Sequence, residues 1–380
     1  MKQKIQLSDH FTYGRLLQFT LPSIGMMIFT SIYGVVDGFF VSNFAGKTPF
    51  AAINLIMPFL MILSTVGFMF GTGGSALVAK TFGEGDREKG NRYFSLFVYT
   101  SAALGVIFAA LGIAFTRPIA ALLGAEGEML KNAVLYARII LLALPFNVLQ
   151  LLFRSFCVTA EKPRLGLTVT VMSGVTNMVM DAVLVMLLPQ EYKLAGAAAA
   201  TALSETVGGL VPLIYFGREN DSILRLGRCS FDEKAILKAC TNGSSEFMSN
   251  ISMSLVGMLY NIQLIRYAGE LLAAPLAGIF VGYDAELMEM TVSGFRIFAL
   301  SFLFMGYAIY GSGFFTALND GLTSALISFL RTLVFQVAAV LLLPELWGLD
   351  GVWISIVAAE FMAVVFSAIF LVAKRKKYHY

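Results

Sequence analysis

The 380-residue sequence is 58% hydrophobic and only 13% charged, with a mean hydropathy of +0.77. Soluble globular proteins carry about 25% charged residues, so the composition excludes an ordinary soluble domain and predicts an all-α polytopic membrane protein. The net charge of +3 is small and the basic residues are spread along the chain, which makes nucleic acid an unexpected partner.

Ten apolar stretches are each long enough to cross the hydrocarbon core, which takes about 20 helical residues. They predict helices at 15–45, 50–80, 90–116, 130–160, 164–189, 194–217, 233–268, 286–317, 322–344 and 349–373. The longest polar stretch, 218–233, separates the sixth helix from the seventh. We therefore predict an N-terminal six-helix bundle at 1–217, a linker at 218–233 and a C-terminal four-helix bundle at 234–380.

One unit of the sequence occurs twice, at 159–205 and again at 316–360. Matched residues keep a nearly constant separation, which is 157 for Thr159/Thr316 and 155 for Pro189/Pro344, Gly196/Gly351 and Glu205/Glu360. Each copy runs from an apolar span through a Leu-Pro turn into a helix of small residues. Because the repeat is parallel, it predicts two pseudo-symmetric bundles around a central cleft, related by an axis along the membrane normal.

The repeat loses its register towards its N-terminal side. The separation stays at 157 or 158 for Pro118/Pro275, Gly124/Gly282 and Arg138/Arg296, but the ends of helices one and seven, Gly46 and Gly269, are 223 apart. The difference between 223 and 157 is 66 residues, which corresponds to a pair of helices equivalent to about 48–113. The second bundle is therefore predicted to lack two helices, through a natural deletion or an altered sequence.

The basic residues predict the orientation in the membrane. Most of them fall on one side of the alternating spans, namely Lys2, Lys4, Arg15, Lys80, Arg87, Lys89, Arg92, Lys162, Arg164, Arg218, Arg225, Arg228, Lys234, Lys238 and the run 374–377. Basic residues are enriched in cytoplasmic loops. Both termini and the linker are therefore predicted to be cytoplasmic, in a multi-pass protein of the plasma membrane.

A few polar residues interrupt the predicted spans. Asp37 lies in the first span, four residues after Tyr33, where a charge costs at least about 2.5 kcal/mol. Asn177 and Asp181 lie four residues apart in the fifth span and share one helical face, and the second copy of the repeat has neither residue. Such residues are candidates for a transport site, although a hydrogen bond that joins two helices is the alternative role.

Three motifs resemble a known family. They are LPSIGMMIFTSIYGVVDGFFVSNFAG at 21–46, GTGGSALVAKTFGEGDREKG at 71–90 and NGSSEFMSNISMS at 242–254. Together they resemble the multidrug and toxic compound extrusion (MATE) family. The resemblance implies two bundles that form a V, and an antiporter that exports cationic, amphipathic organic compounds by alternating access. It also implies a cation site in the first bundle at Asp37, Asn177 and Asp181, completed by Tyr33 and Thr201.

The coupling ion is left open by the sequence. Two carboxyls that face each other in a low-dielectric bundle cannot both ionise comfortably, so at least one should hold a proton near neutral pH. Alternatively, the oxygens of Asp37, Asp181 and Asn177, with Thr201, could cage a sodium ion. No other metal and no cofactor are expected, and the predicted role is transport by a monomer in contact with membrane lipid, without catalysis.

Glu246, at the start of the seventh helix, is a further candidate. The resemblance implies a role in cation or substrate binding in the second bundle, but its usual partners would include the missing eighth helix of the family. Helix capping is the alternative role. Two other functions stay open for the whole chain: a transport-deficient membrane protein, or a flippase for lipid-linked precursors, which would need more cationic residues in its cavity.

Overall fold

The computed structural model describes residues 13–41, 47–268, 297–298, 300–318 and 320–378. Within these ranges the regular structure is helical and no strand occurs, which confirms the predicted all-α class. The helices are α1 (Tyr13–Phe40), α2 (Lys47–Gly83), α3 (Arg87–Leu122), α4 (Gly127–Thr159), α5 (Pro163–Leu187), α6 (Lys193–Gly217), α7 (Glu233–Ala268), α8 (Ser301–Ala317), α9 (Gly321–Phe329) and α10 (Gln336–Tyr378). A 3-10 turn, Gln190–Tyr192, precedes α6, and a π-helical segment, Leu330–Phe335, joins α9 to α10.

Six helical segments in the described ranges are long and apolar enough to cross a membrane, with mean hydropathies between 1.4 and 2.5. They are Thr48–Gly83, Arg87–Leu122, Gly127–Thr159, Pro163–Leu187, Gln190–Gly217 and Gly321–Tyr378. The last segment covers two predicted spans. Of the other predicted spans, 15–45 and 286–317 lie partly outside the described residues, and α7 carries the polar run NGSSEFMSN in its first half.

The 58-residue segment Gly321–Tyr378 folds back on itself at Gly348. A straight helix of that length would measure about 87 Å, roughly twice the thickness of a bilayer. Gly348 has the non-helical angles φ 56° and ψ −132°, which glycine adopts without a steric penalty. Arg331 and Glu360, 29 residues apart, therefore meet through three hydrogen bonds of 2.9 to 3.0 Å. The segment is a helical hairpin, as the two predicted spans require.

Asp320 closes the open end of this hairpin. Its carboxylate caps α9 by accepting hydrogen bonds from the Thr323 backbone N at 3.3 Å and Oγ1 at 2.8 Å. It also accepts from the Tyr378 hydroxyl at 2.7 Å. Partial burial acts to raise the pKa of Asp320, but the hydrogen bonds from Tyr378 and Thr323 outweigh it and lower the pKa to about 2. An ionised carboxylate thus joins the first and last turns of the hairpin.

The chain divides into two compact units, Met1–Cys240 and Thr241–Tyr380. In the first unit α4 is central, because it packs against α2, α3, α5 and α6, while α1 packs against α5. Four buried rings join its helices, with ring centroids 4.9 to 6.4 Å apart: Phe94 of α3, Phe153 and Phe156 of α4, and Phe216 of α6. These separations are typical of favourable aromatic pairs.

The predicted linker, 218–233, is fastened to α3 instead of spanning open space. Asn91 of α3 donates to the Ile223 carbonyl at 3.3 Å and accepts from the Arg225 backbone N at 2.7 Å. The backbone N of Gly227 donates to Ser95 Oγ at 3.0 Å. Since these bonds satisfy linker backbone groups, they fix the path of the chain into the first turn of α7.

A cluster of hydroxyl groups joins the helices of the second unit. Ser312 of α8 lies 2.9 Å from Ser324 Oγ and 2.8 Å from Ser328 Oγ, both of α9. Thr316 Oγ1 lies 2.7 Å from Ser324 Oγ and 3.3 Å from Ser245 Oγ of α7. Small hydroxyl side chains allow close approach of apolar helices and hydrogen-bond between them.

The two copies of the repeat form similar hairpins. In the first unit the arms are α5 and α6, and in the second they are the two parts of Gly321–Tyr378 on either side of Gly348. Their paired glutamates differ in partner, because Glu205 accepts from Asn147 whereas Glu360 binds Arg331. The residues on which the outward extension of the repeat depends lie outside the described ranges, namely Gly46, Gly269, Pro275, Gly282 and Arg296. The missing helix pair, the bundle boundaries at 217 and 234, and the pseudo-symmetric arrangement around a cleft stay predictions.

The Arg331–Glu360 ion pair should stabilise the helical hairpin Gly321–Tyr378. The side chain of Glu360 is 1% exposed and that of Arg331 is 15% exposed. Arg331→Met leaves a buried carboxylate without its partner, so we expect a loss of about 3–5 kcal/mol, measured as a lower thermal midpoint in detergent. The double variant Arg331→Met/Glu360→Met should recover most of that loss.

Arg92→Gln is the matched control, because it removes an exposed ion pair. The side chain of Arg92 is 51% exposed and that of its partner Glu88 is 85% exposed. Exposed pairs contribute about 0–1 kcal/mol. Equal losses in Arg331→Met and Arg92→Gln would contradict a stabilising role for the buried pair.

Gly209 permits the close approach of α6 to α4. A Cβ atom there would overlap the Phe146 carbonyl oxygen and lie 2.8 Å from the Phe146 Cα. Because the Phe146 backbone cannot move aside as a flexible side chain could, we expect Gly209→Ala to lower the free energy of unfolding by about 1–3 kcal/mol, measured by thermal unfolding. Gly217→Ala is the control, since a Cβ at Gly217 meets nothing within 4 Å; a comparable loss there would contradict the packing explanation.

Candidate functional site

Asp37 and Asp181 meet where α1 packs against α5. Asp181 is 0% exposed and Asn177 is 1% exposed, while Asp37 is half-buried. The Asp37 carboxyl lies within hydrogen-bonding reach of the side chains of both Asp181 and Asn177. The turn of helix between Asn177 and Asp181 places both on the face of α5 that meets α1. The sequence therefore located three residues that the fold brings together.

Several oxygens at this meeting point have no donor outside the acid pair. Apart from the neighbouring Asp37 carboxyl, no described residue donates a hydrogen bond to either carboxylate oxygen of Asp181 or to the Oδ1 atom of Asn177. Asn177 directs its Nδ2 atom towards Thr201 Oγ1, at 3.5 Å, and so presents its oxygen to the acid pair. Buried carboxyls without a donor require a proton or a cation, because an isolated ionised carboxylate is very costly away from water.

Tyr33 and Thr201 border the pair from different sides. The Tyr33 hydroxyl lies within hydrogen-bonding reach of Arg154 of α4, and the ring is close enough to Asp37 and Glu205 to be influenced by their charges. Thr201 Oγ1 donates to the Ala197 carbonyl at 3.2 Å. Its oxygen consequently has a lone pair available to Asn177 or to a bound cation.

Tyr136 of α4 belongs to the same cluster, and no motif in the sequence singled it out. It is 2% exposed, its hydroxyl lies within reach of Thr201, and the charges of Asp37, Glu205 and Asp181 act on it. A tyrosine in a long apolar helix carries little signal of its own, since Tyr is common in buried packing. Only the packing of α4 against α6 reveals its neighbours.

A polar face of α4 was also missed, although the sequence carries a signal for it. Asn147, Gln150 and Arg154 are spaced by three and four residues, so they share one helical face. Asn147 Nδ2 donates to Glu205 Oε1 at 2.7 Å, and Gln150 Nε2 donates to Ser173 Oγ at 3.2 Å. Three polar residues on one face of an apolar helix indicate a lined interior.

Glu205 is a third acid of the first unit. Its Oε2 atom is buried and accepts no hydrogen bond from the described residues, and the same holds for the Oδ1 atom of Asn147. Arg154 of α4 is a positively charged residue close to this cluster. The cluster of Asp37, Asp181 and Glu205 therefore has an excess of acidic groups over Arg154.

Glu246 lies in the second unit, whereas Asp37 and Asp181 lie in the first. Its side chain is exposed, and its carbonyl accepts a hydrogen bond from Asn250 Nδ2 at 2.8 Å within α7. The charge of Arg331 acts on it, but Arg331 is engaged by Glu360. A role for Glu246 in binding stays a prediction.

In the described ranges no group of three or more His, Cys, Asp or Glu side chains could hold a metal ion. A sodium ion would have to draw on mixed oxygens instead, from the two carboxyls, the Asn177 amide and the Thr201 hydroxyl. Hard cations accept such oxygen ligands. The groups present are oxygen donors of the kind that a sodium ion accepts, and the carboxyls among them can also bind a proton.

Known proteins share this sequence pattern. A family model described as MatE matches residues 22–183, a range that contains Asp37, Asn177 and Asp181. The multidrug export protein MepA of Staphylococcus haemolyticus is 27% identical over 293 residues, which cover 77% of this chain and 64% of that protein. The MepA protein of Staphylococcus saprophyticus is 28% identical over 260 residues, covering 68% of this chain and 57% of that protein. Residues 22–183 of this chain are therefore similar to the MatE family.

Solved structures support the MatE fold. A structure of the MATE multidrug transporter DinF-BH matches with a TM-score of 0.86 at 20% identity, over 99% of each chain. A MOP superfamily transporter from Pyrococcus furiosus matches with a TM-score of 0.80 at 20% identity, over 93% of this chain and 94% of that one. With six described helical segments long and apolar enough to cross a bilayer, the chain is a multi-pass membrane protein. It spans less than two thirds of the MepA sequences, at 64% and 57%.

The buried Asp181 carboxyl predicts an unusual response to substitution. Asp181 is 0% exposed, and an ionised carboxylate is costly away from water. Asp181→Asn supplies a neutral side chain of similar shape, so we expect its thermal midpoint in sodium-free buffer at neutral pH to equal or exceed that of the parent.

Asp350→Asn, which changes an exposed carboxylate, should leave the thermal midpoint unchanged. A clearly lower midpoint of Asp181→Asn would mean that the native carboxylate is stabilised by a hydrogen-bond donor other than Asp37, in conflict with the geometry.

Proposed function

We propose that this chain is a cation-coupled antiporter that exports cationic, amphipathic drugs and toxic organic compounds by alternating access. The observation that supports this most directly is the Asp181 carboxyl, which is fully buried beside the Asp37 carboxyl and receives no hydrogen bond from any other described residue. A buried pair of acids is expensive to keep, and such intramembrane residues often belong to ion or substrate pathways. A purely structural carboxyl would usually be paired with a basic or hydroxyl donor.

Exchange follows from competition for the same negative charge. With a proton on the pair, the site is close to neutral and holds an organic cation weakly. When a cationic substrate approaches, its charge favours ionisation of the carboxyls, so the proton leaves. Linkage is reciprocal, so a proton that binds later lowers the affinity for the substrate by the same factor.

A helix that bends would couple this exchange to access. Pro22 lies inside α1, which also carries Asp37, and a proline inside a helix removes a backbone hydrogen bond and permits a kink. A change of charge at Asp37 would alter the contact of α1 with α5. The bend is proposed as the step that opens and closes the path to the pair.

The coupling ion is proposed to be H⁺ or Na⁺, because the oxygens at Asp37, Asp181, Asn177 and Thr201 suit both. The chain needs no catalytic group and no cofactor for this role. It would work in the plasma membrane with both termini in the cytoplasm, as the basic residues predict. Small organic cations and membrane lipid are the proposed partners, and a monomer is the proposed state.

A preference for cations is supported by charge and by the relatives. Asp37, Asp181 and Glu205 exceed Arg154 in number around the cluster, so the potential should favour positive ligands. The relatives from two staphylococci are named multidrug export proteins. The drug specificity of this chain is proposed by analogy with those names.

A transport-deficient protein is the second candidate. It is favoured by the spacing of the repeat, which predicts that 66 residues equivalent to a helix pair are absent after the seventh helix. Alternating access needs two bundles that seal on either side of the substrate. A chain that binds cations at the acid pair without moving them would satisfy the same site geometry.

Reconstituted vesicles separate these candidates. The protein would be placed in proteoliposomes with a fluorescent lipophilic cation, and uphill movement would be followed under an imposed pH gradient or an imposed sodium gradient. For the antiporter we expect movement under one of the gradients. Asp37→Asn should reduce it at least about tenfold, because the amide can neither release a proton nor neutralise a cation.

Asp350→Asn is the matched control, since it makes the same chemical change at an exposed carboxylate of α10, and it should export at the parental rate. Export by Asp37→Asn at that rate would exclude the carboxyl mechanism. Binding that depends on pH without any uphill movement would favour the transport-deficient candidate, and restoring the missing pair from 48–113 should then restore export.

A further inference from the structure

A second polar cavity lies in the first unit, apart from the acid pair. It has a volume of about 240 Å³ and is bounded by the last turns of α2, the first turns of α3 and the first turns of α7. Its lining residues are Leu77, Lys80, Thr81, Glu84, Lys89, Tyr93, Lys234, Ala235 and Lys238. Four of these nine residues are lysines, so the cavity is basic.

The linker leads the chain to the turns of α7 that line this cavity. Asn91 donates to the Ile223 carbonyl and accepts from the Arg225 backbone N, and Ser95 accepts from the Gly227 backbone N. The chain is thereby delivered to α7 beside the ends of α2 and α3, which themselves are joined by a tight turn. Lysines that are far apart in sequence are thus brought to one place by ordered backbone.

The positive charges in the cavity are poorly compensated. Glu84 is the one acidic lining residue, and it pairs with Lys80 at a long 3.9 Å. Lys89 lies over the Tyr93 ring, with its Nζ atom 5.7 Å from the centroid. In the described part of the chain, no carboxylate lies within ion-pair distance of Lys234 or Lys238. All four lysines are exposed to solvent, and an anion bound among them would offset their mutual repulsion.

We propose that this cavity binds a phosphate group, as carried by the headgroup of an anionic phospholipid or by a soluble phosphate ester. Lysine ammonium groups bind phosphate as point charges, and the Tyr93 hydroxyl can donate to a phosphate oxygen. Basic pockets between the cytoplasmic ends of membrane helices suit anionic headgroups. All four lysines belong to the side of the chain that the basic residues mark as cytoplasmic.

The size of the cavity fits a headgroup better than a drug. Pockets for drug-sized ligands occupy roughly 300–1,000 Å³ and are mostly apolar, whereas this cavity has about 240 Å³ and a polar lining. The acid pair does not contribute to it. Binding here would therefore be a property separate from export.

The test measures the thermal midpoint of the full-length protein in neutral detergent. Three additions would be compared, namely phosphatidylglycerol, phosphatidylcholine and inorganic phosphate. For the parent we expect phosphatidylglycerol or inorganic phosphate to raise the midpoint, and phosphatidylcholine to have no effect. Lys234→Gln/Lys238→Gln should weaken the apparent affinity about 30-fold, since each lysine near an anionic headgroup contributes roughly a fivefold factor.

Arg164→Gln/Arg228→Gln is the charge-matched control, because both arginines are exposed on the same predicted side and neither lines the cavity. Its response should equal that of the parent. Lys234→Arg/Lys238→Arg, which keeps the charge, should retain most of the affinity and shows whether loss in the glutamine variant comes from charge or from misfolding.

The additions also identify the source of the phosphate. A response to phosphatidylglycerol alone indicates a lipid headgroup, and a response to inorganic phosphate alone indicates a soluble ester. No response to either, or an equal loss of affinity in Arg164→Gln/Arg228→Gln, would overturn the proposal.

Discussion

Burial of carboxyl groups away from water is the constraint on which the first unit depends. Asp181 has no access to solvent, and its one polar neighbour within hydrogen-bonding reach among the described residues is the Asp37 carboxyl. Such an arrangement is stable only when a proton or a cation neutralises part of the charge. The same requirement makes the pair responsive, because whatever removes the neutralising species changes the contact between α1 and α5.

The central helix α4 makes this arrangement possible. It packs against four other helices and turns two different faces towards them. Its aromatic face, with Phe153 and Phe156, fills the interior against α3 and α6. Its polar face, with Asn147 and Arg154, lies close to Glu205 and Tyr33. Packing and polarity are thus separated around one helix, which keeps the polar cluster inside a rigid frame.

The two copies of the repeat show how one frame can serve different ends. In the second unit, Glu360 is fully paired with Arg331 through three hydrogen bonds, and the hydroxyl cluster around Ser312 is satisfied. In the first unit, Glu205 keeps an oxygen that has no donor among the described residues. Ion pairs and hydroxyl networks hold helices together. A buried carboxylate oxygen without a donor can instead accept a proton or a cation. The chemical asymmetry between the copies therefore matches the proposed location of exchange.

The sequence by itself determined the helical class, the duplicated hairpins and the residues Asp37, Asn177 and Asp181. Apolar length, repeat spacing and charges inside a span can all be read along the chain without knowing which helices pack together. The tertiary structure decided which groups meet. Tyr136 comes to Thr201 and Arg154 to Tyr33 only because helices distant in sequence pack together. The basic cavity at the start of α7 likewise depends on the hydrogen bonds between the linker and Asn91. Such long-range contacts leave no periodic pattern in a sequence.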